Sequence, residues 1–354
     1  MQLPLFNRKY FRQHRENKMS KTIVALDAMG GDFAPEQTVT GAVWAVNADP
    51  DITVKLVGIK SAVEYELKKH KYNPQQIEII EASQVIETCE APVVAIRKKK
   101  DSSMVKGLYL VKNAQADAFV SLGNTGALLV GGRIIVGTLK GIERPALAFL
   151  VPSLKNPVLI IDAGANVDAR PSMLVQFAQM GSLYYENVLK IENPRVGIIN
   201  IGEEEEKGNA LVRETFPLLK ECGNINFIGS VESRGMTEGE AEVVVCDAFV
   251  GNTILKTYEG VCAALITTLK ETLRKNMRTK LSASLIQSDL KNMLKAFSVE
   301  EYGGAPMLGL KGIVVKTHGN SKAEEIRNTI LQCREFHEND IVGKIADIAK
   351  KEES

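Results

Sequence analysis

Polar, glycine-rich clusters follow or flank many of the apolar runs in this chain of 354 residues. They are DAMGGD after 23–26, SLGNTGA after 118–120, DAGANVDARP after 158–161, GEEEEKGN at 202–209, CDAFVGN at 246–252, YGGAP at 302–306 and KTHGN at 316–320. Glycines let backbone N–H groups converge on an anion, and Asn and Thr add neutral donors. The clusters therefore indicate that an anionic ligand binds where apolar runs end.

Three residues in these clusters are candidates for catalysis. Lys207 precedes a Gly-Asn pair at a predicted turn into a helix, where a ligand contact is favoured over a solvated surface charge. Asn252 is either the N-cap of a helix predicted for 253–275 or a donor to substrate, and both roles can hold. His318 is the one of the four histidines that lies in such a loop, and it could protonate a leaving group.

The other candidates are expected to bind phosphate or substrate. They are Asp27, Gly30, Gly31, Asp32, Ser102, Ser103, Gly123, Asn124, Thr125, Gly126, Asp162, Asn166, Gly208, Asn209, Asp247, Gly303 and Gly304. Asp27 and Asp32 could bind a metal or orient donors, or they could simply form turns and cap helices. The run RKKKDSSM at 97–104 is either an exposed charge run or a basic rim for an acidic substrate.

Known signatures for a bound nucleotide or a covalent nucleophile are missing from the sequence. It has no GxxxxGK[ST], no GxGxxG with the expected acid, no GxSxG and no cysteine in a nucleophile turn. A cleft rich in donors and poor in nucleophiles suits a reaction whose nucleophile arrives with the substrate. Inorganic phosphate qualifies, and the protein would then supply proximity and oxyanion stabilisation.

Alternating short strands and helices must position these residues. Strands are predicted at 23–26, 52–57, 77–80, 118–120, 146–150, 158–161, 196–201, 225–228 and 243–245, with helices at 36–47, 61–69, 107–115, 171–188, 208–222 and 253–275. The pattern predicts one doubly wound, Rossmann-like α/β domain over 19–354 with a mostly parallel, buried sheet. Ligands bind beyond the carboxyl ends of such strands, so the clusters should line one cleft at one edge of the sheet.

Composition excludes several classes of protein. The net charge of +1 gives no signal for nucleic-acid binding, and no apolar run is long enough to span a membrane. The five cysteines are scattered and lack CxxC spacing, which argues for reduced thiols in a cytoplasm and against zinc. Residues 1–18 are basic without a signal-peptide core, and we interpret them as a disordered leader or as translation upstream of a natural start at Met19. The alternative is a basic arm that touches a membrane.

Residues 270–297 depart from the α/β pattern as a basic amphipathic helical segment. Its candidate contact residues are Arg274, Lys275, Arg278, Lys280, Ile286, Leu290, Lys291, Met293, Leu294 and Lys295. The apolar members from Ile286 onward repeat at the spacing of one helix face, and the lysines lie on another. The segment is either a packed helix with a solvated face or a surface that touches a membrane or docks an acidic partner.

Taken together, the motifs resemble the PlsX family, the acyl-carrier-protein:phosphate acyltransferases of bacterial phospholipid synthesis. They include AxDAMGGD, RKKKDSSM, SLGNTGALL, GIERPALA, DAGANVDA, DAFVGNTILKTYEG and YGGAPMLGLKG…KTHG, in order over about residues 21–335. Residues 1–18 fall outside the resemblance. It implies a fold related to phosphotransacetylases and to isocitrate/isopropylmalate dehydrogenases, and a homodimer that acts at the inner face of the membrane without spanning it.

The resemblance also implies an activity. A long acyl group would pass from acyl carrier protein to inorganic phosphate without a cofactor, and a membrane glycerol-3-phosphate acyltransferase would consume the acyl phosphate. Lys207 and Asn252 match functional positions of the family, and Asp27, Asp162 and Asp247 are expected to position loops. The basic side chains of 270–297 could steer the acidic carrier protein, and its apolar face could meet acyl chain, bilayer or dimer mate. Three alternatives stay open: an acyl-CoA phosphotransacetylase, a hydroxyacid dehydrogenase and a non-catalytic scaffold.

Overall fold

The computed structural model describes residues 21–297 and 302–353, and eleven strands form one sheet. The strands are β1 (Thr22–Asp27), β2 (Ile52–Gly58), β3 (Ile77–Glu81), β4 (Ala118–Ser121), β5 (Ala146–Val151), β6 (Val158–Ile161), β7 (Arg195–Ile199), β8 (Asn226–Val231), β9 (Val243–Val245), β10 (Ala305–Leu308) and β11 (Ile313–Lys316). Their order across the sheet is β3-β2-β1-β4-β11-β10-β5-β6-β9-β7-β8.

Helices cover both faces of this sheet. They are α1 (Glu36–Ala48), α2 (Lys60–Leu67), α3 (Pro92–Lys98), α4 (Ser103–Lys112), α5 (Thr125–Gly131), α6 (Pro171–Val188), α7 (Ala210–Glu221), α8 (Ser233–Glu238), α9 (Ala248–Arg274), α10 (Met277–Leu285), α11 (Gln287–Ala296), α12 (Ala323–Glu338) and α13 (Ile341–Glu353). A 3-10 turn lies at Pro74–Gln76 and a π-helical turn at Gly132–Val136.

The sheet has two halves whose strands run in opposite directions. In the first half, β2 and β4 flank β1 in parallel, and β11 is parallel to β4. In the second half, β6, β9, β7 and β8 are parallel to one another. The reversal occurs at the centre, where β10 is antiparallel to both β11 and β5, and β5 is antiparallel to β6.

Alternation along each strand sends side chains into two separate cores. Val24 and Leu26 of β1 belong to a core with α1, α6 and α12, whereas Ala25 faces a core that includes residues of α3, α4 and α5. Successive side chains of a strand point to opposite faces, so a sheet covered on both faces needs apolar residues at every position. The wholly buried β5 and β6 meet this requirement.

All nine predicted strands and all six predicted helices are present, and the mostly parallel α/β fold is confirmed. β10 and β11 were not among the predicted strands; they lie between the YGGAP and KTHGN clusters. The expectation that strands are uniformly buried is wrong for β3 and β8, which lie at the two ends of the sheet and are only partly buried. An end strand has one hydrogen-bonding neighbour, so its side chains are less covered.

The segment 270–297 is helical but contains two breaks. It comprises the end of α9, then α10, then α11, and the side chain and backbone of Asn276 exchange hydrogen bonds with Thr279 at the start of α10. Ile286 and Met293 are exposed, and Leu285 is 81% exposed. The side chain of Lys295 lies outside the described residues, as do residues 1–18. Within the described part, every helix is too short or too polar to cross a membrane.

An ion pair between Arg195 and Glu242 joins the start of β7 to the residue before β9. Glu242 accepts hydrogen bonds from the backbone N of Arg195 at 2.8 Å and from its guanidinium at 2.7 and 2.9 Å. Burial raises the pKa of Glu242, but the hydrogen bonds and charge of Arg195 outweigh this effect and leave the pKa below its ordinary value. A carboxylate with a lowered pKa stabilises the fold above its unfolded pKa, and this stability is lost as pH falls through the folded pKa.

We therefore expect Glu242→Gln to lower the free energy of unfolding by about 2 kcal/mol at pH 7, the value of a charged hydrogen-bonded pair. The difference from the unaltered protein should shrink as pH falls below about 4, where the carboxyl group of the unfolded chain is itself protonated. Urea unfolding at pH 7 and under acid conditions measures both effects. The exposed Glu238→Gln is the control, and a pH-independent difference would contradict the account.

Candidate active site

The loop clusters lie at two opposite edges of the sheet, so the prediction of one edge is wrong. The loops after β1, β4 and β11 share the edge that we call the first edge, which holds Asp27, Ser121 and Lys316. The loops after β6, β7 and β9 lie at the second edge, because the second half of the sheet runs the other way. The hydrophobic pattern of the strands carries no information about this reversal.

Asp27 organises the first edge from a buried position. Its carboxylate accepts hydrogen bonds from Ser121 Oγ at 2.8 Å and from the backbone N of Met29 at 3.2 Å. Burial raises the pKa of Asp27, and Ser103, Ser121 and the amides of Met29 and Gly30 oppose that rise. The Gly30 amide thus faces the Asp27 carboxylate, which competes with phosphate for it.

The glycine-rich turn after β4 is also partly committed to its own structure. The Gly123 amide donates to Ser121 Oγ at 3.1 Å, and Asn124 caps α5 by accepting from the Ala127 amide at 2.9 Å. The Asn124 side-chain amide donates to three carbonyl oxygens of residues 87–90. The amides of Thr125 and Gly126 lie in the first turn of α5, where no intrahelical acceptor is in reach.

Several other predicted ligands have structural contacts. Ser102 is buried and caps α4 by accepting from the Val105 amide. Gly303 has a φ of +79°, and the Gly304 amide donates to Gln332 Oε1 at 3.0 Å, so this pair forms the turn into β10. The basic run at 97–104 ends α3, and its Lys99 pairs with Glu90 at 2.5 Å.

The loops after β1 and β11 are in direct contact. Gly31 has a φ of +95°, and a Cβ at this position would lie 2.8 Å from the carbonyl oxygen of Gly319. The Asp32 amide donates to the same oxygen at 2.7 Å, while the Asp32 side chain is exposed at the rim. Only glycine allows both the backbone angle and the close approach.

Helix α9 places two charged residues, Lys256 and Glu259, at the first edge. Neither was among the candidates from the sequence. His318 Nε2 lies 3.2 Å from Glu259 Oε1, and Glu259 Oε2 accepts from Lys256 Nζ at 2.7 Å. The His318 ring also packs edge-on against Phe149, with centroids 5.4 Å apart. Burial lowers the pKa of His318, Glu259 opposes this, and Lys256 and Lys316 lower it further, so the ring is neutral near pH 7.

The second edge is built around Asp162, which is fully buried. It accepts hydrogen bonds from the amides of Leu147, Gly164, Ala165 and Asn166 and from the Asn166 side chain, at 2.7 to 3.1 Å. A Cβ at Gly251 would lie 2.0 Å from the carbonyl oxygen of Asp162, so α9 starts directly on this loop. These hydrogen bonds show that Asp162 fixes the conformation of the loop after β6, as expected from the sequence.

Asp247 caps α9 by accepting from the Val250 amide at 2.9 Å, and Asn209 caps α7 in the same way. The expectation that Asn252 is an N-cap is therefore wrong: it lies inside α9, exposed. Lys207 is half-exposed and pairs with Glu204 at 2.7 Å, followed by Gly208 with a φ of +100°. In the described part of the chain, no hydrogen bond or ion pair joins Lys207 to the first edge.

One face of α9 nevertheless connects the two edges. Asn252, Lys256 and Glu259 are spaced i, i+4 and i+7, which places them in one row along the helix. The row begins one residue after Gly251, which packs on the Asp162 loop, and ends at His318 on the first edge. The spacing was visible in GNTILKTYEG, but only the packing of α9 shows that the row reaches His318.

The basic side chains of 270–297 that the structure describes are all exposed. They are Lys270, Arg274, Lys275, Arg278, Lys280 and Lys291. Among the described residues, no group of three or more His, Cys, Asp or Glu side chains is arranged to hold a metal ion.

Comparison with known proteins gives the family. The model of the fatty acid synthesis protein family matches residues 22–344. A putative phosphate acyltransferase from Clostridium perfringens strain 13 is 49% identical over 329 residues, which cover 93% of this chain and 97% of that protein. A phosphate acyltransferase from Clostridium tetani is 45% identical over 324 residues, covering 92% of this chain and 97% of its own length.

A solved structure supports the fold. A phosphotransacetylase from Streptococcus pyogenes superposes with a TM-score of 0.57 at 16% identity, over 89% of this chain and 94% of that protein. At this identity the likeness concerns the fold alone, and it agrees with the resemblance to phosphotransacetylases expected from the motifs. The chain belongs to the fatty acid synthesis protein family and is an acyltransferase.

Proposed function

We propose that this protein transfers a long-chain acyl group from acyl carrier protein to inorganic phosphate, which gives acyl phosphate for phospholipid synthesis. The observation that carries the proposal is the convergence of Lys256, Lys316 and His318 at the first edge, where Lys316 also reaches the loop after β4 through the Leu122 carbonyl. Such a site binds an oxyanion, and the clostridial relatives are named phosphate acyltransferases.

The proposed chemistry is direct attack of phosphate on the thioester. Phosphate needs no strong base, and burial raises the pKa of Cys246 and Cys333, which keeps both thiols protonated and poorly nucleophilic. Asn252 would stabilise the thioester oxyanion, and His318 would face the departing thiolate. Lys207, which pairs with Glu204 on the second edge, is a separate candidate for binding the oxyanion. A thiolate with an unperturbed pKa of ~8.5 needs little help to leave.

The partners are part of the proposal. The exposed basic residues of α9, α10 and α11 would steer an acidic carrier protein toward the site. The exposed apolar residues Leu265, Leu281 and Leu285 would meet a bilayer, an acyl chain or the second subunit of a homodimer. The protein would act in the cytoplasm against the inner membrane face, where a membrane glycerol-3-phosphate acyltransferase takes the product.

A second candidate is acyl transfer between coenzyme A and phosphate, because the fold is that of a phosphotransacetylase. The test supplies labelled inorganic phosphate with either palmitoyl-acyl carrier protein or palmitoyl-CoA. Labelled acyl phosphate formed preferentially from the carrier protein supports the proposal. Preference for CoA favours the second candidate. No product from either donor would favour a scaffold or a hydroxyacid dehydrogenase, which quenching of nicotinamide fluorescence would test.

A further inference from the structure

Lys316 lies where two loops of the first edge meet. It is the last residue of β11 and pairs with Ser121 of β4 across the sheet. Its Nζ donates to the carbonyl oxygen of Leu122 at 3.4 Å and to that of Thr317. The ammonium group is therefore held between the loop after β4 and the loop after β11.

This ammonium group has no close counter-ion in the part of the chain that the structure describes, where no carboxylate oxygen lies within 4.0 Å of Nζ. Asp27, Asp32 and Glu325 attract it from a greater distance. Asp27 accepts from Ser121 Oγ and the Met29 amide, and Glu325 accepts from Thr317 Oγ1 at 2.7 Å. An ammonium has three N–H donors, of which two have protein acceptors here, and a half-buried cation without a close counter-ion is unfavourable.

The groups around Lys316 form the surroundings of an anion site. Lys256 from α9 and His318 from the loop after β11 approach it and add positive or donor character. Burial, the largest effect, lowers the pKa of Lys316 to about 8; Glu325, Asp27 and Asp32 oppose the change, and Lys256 adds to it. An anion bound beside Lys316 would act as the close counter-ion that the described carboxylates do not provide.

We propose that Lys316 binds the inorganic phosphate that attacks the thioester, with its third N–H donated to a phosphate oxygen. The proposal rests on the proposed function, because it takes phosphate as the substrate. It also predicts a pH dependence. Phosphate binding is strong while Lys316 is protonated and weakens as pH rises through about 8. His318 has a lowered pKa and titrates on the acid side of this range, so it does not produce the alkaline change.

The test compares Lys316→Met and Lys316→Arg with Lys311→Met, an exposed lysine just before the same strand. Lys316→Met should raise the KM for phosphate ~10- to 100-fold, as expected for loss of a charged hydrogen bond, with the KM for the acyl donor unchanged. Phosphate should also no longer raise its melting temperature. Lys316→Arg should keep phosphate binding and lose the weakening near pH 8, because a guanidinium stays charged.

An unchanged KM for phosphate in Lys316→Met, or an equal change in both KM values, would overturn the inference. If Lys316→Met does not fold, the pH profile of Lys316→Arg decides, and a profile like that of the unaltered protein overturns it. The two proposals can fail separately. If the unaltered protein makes no acyl phosphate but is stabilised by phosphate in a Lys316-dependent way, the proposed function fails and the anion site stands.

Discussion

Asn252→Ala is expected to lower kcat by ~10²-fold, the usual cost of losing one oxyanion donor, while the melting temperature stays near that of the unaltered protein. Stability should be kept because Asn252 is exposed and α9 is capped by Asp247. The effect on kcat follows from the row that Asn252 forms with Lys256 and Glu259 toward His318. Steady-state turnover of palmitoyl-acyl carrier protein with saturating phosphate is the measurement.

Thr253→Ala is the matched control, since Thr253 is the next exposed residue of α9 and its hydroxyl donates to the Phe249 carbonyl of the same helix. Near-normal turnover in a folded Asn252→Ala protein would remove Asn252 from the mechanism. The companion variant Lys207→Ala is expected to lose ~10²-fold as well. If kcat falls in Lys207→Ala but not in His318→Gln, the catalytic site lies at the second edge.

Asp162→Ala is expected to lower the free energy of unfolding by about 4 kcal/mol, because it removes the acceptor of several buried amides at once. Leu147, Gly164, Ala165 and Asn166 would all lose the partner of their backbone N–H. The start of α9 rests on the same loop through Gly251, so its position should change too. Urea unfolding followed by circular dichroism measures the stability.

The control for this prediction is Asp168→Ala, an exposed carboxylate in the same loop that should leave stability almost unchanged. Comparable losses in the two variants would mean that the hydrogen-bond network of Asp162 contributes little. Activity measured on the Asp162→Ala protein that stays folded should fall as well, since the loop sets where α9 begins. A stable but inactive variant would instead give Asp162 a direct role in the chemistry.

The elements of this fold were predictable because each buried strand needs a continuous apolar run, as in β5 and β6. The direction of the second half was not predictable, since β5 and β6 read alike whether they pair parallel or antiparallel. Because β5 and β6 pair antiparallel, the seven loop clusters lie at two edges of the sheet and not at one. Local sequence also could not tell which donors already have partners within the protein, as the Gly123 amide and the Asn124 side chain do.

The residues that sequence reasoning missed depend on tertiary contacts. Glu259 and Lys256 lie inside a helix, where charged residues are ordinarily solvated, and only the packing of α9 brings them to His318. Lys316 belongs to the KTHGN cluster, but its position between two loops follows from the central place of β11 in the sheet. A basic side chain that ends a central strand next to a glycine-rich loop is the signal that would have found it.

The most direct test of the central claim counts thiol release from palmitoyl-acyl carrier protein with and without labelled inorganic phosphate. Direct attack by phosphate predicts no thiol release without phosphate, and one labelled acyl phosphate for each thiol released when phosphate is present. A stoichiometric burst of thiol without phosphate would reveal an acyl-enzyme and contradict direct attack. Thiol release in the presence of phosphate without any labelled acyl phosphate would contradict the proposed reaction itself.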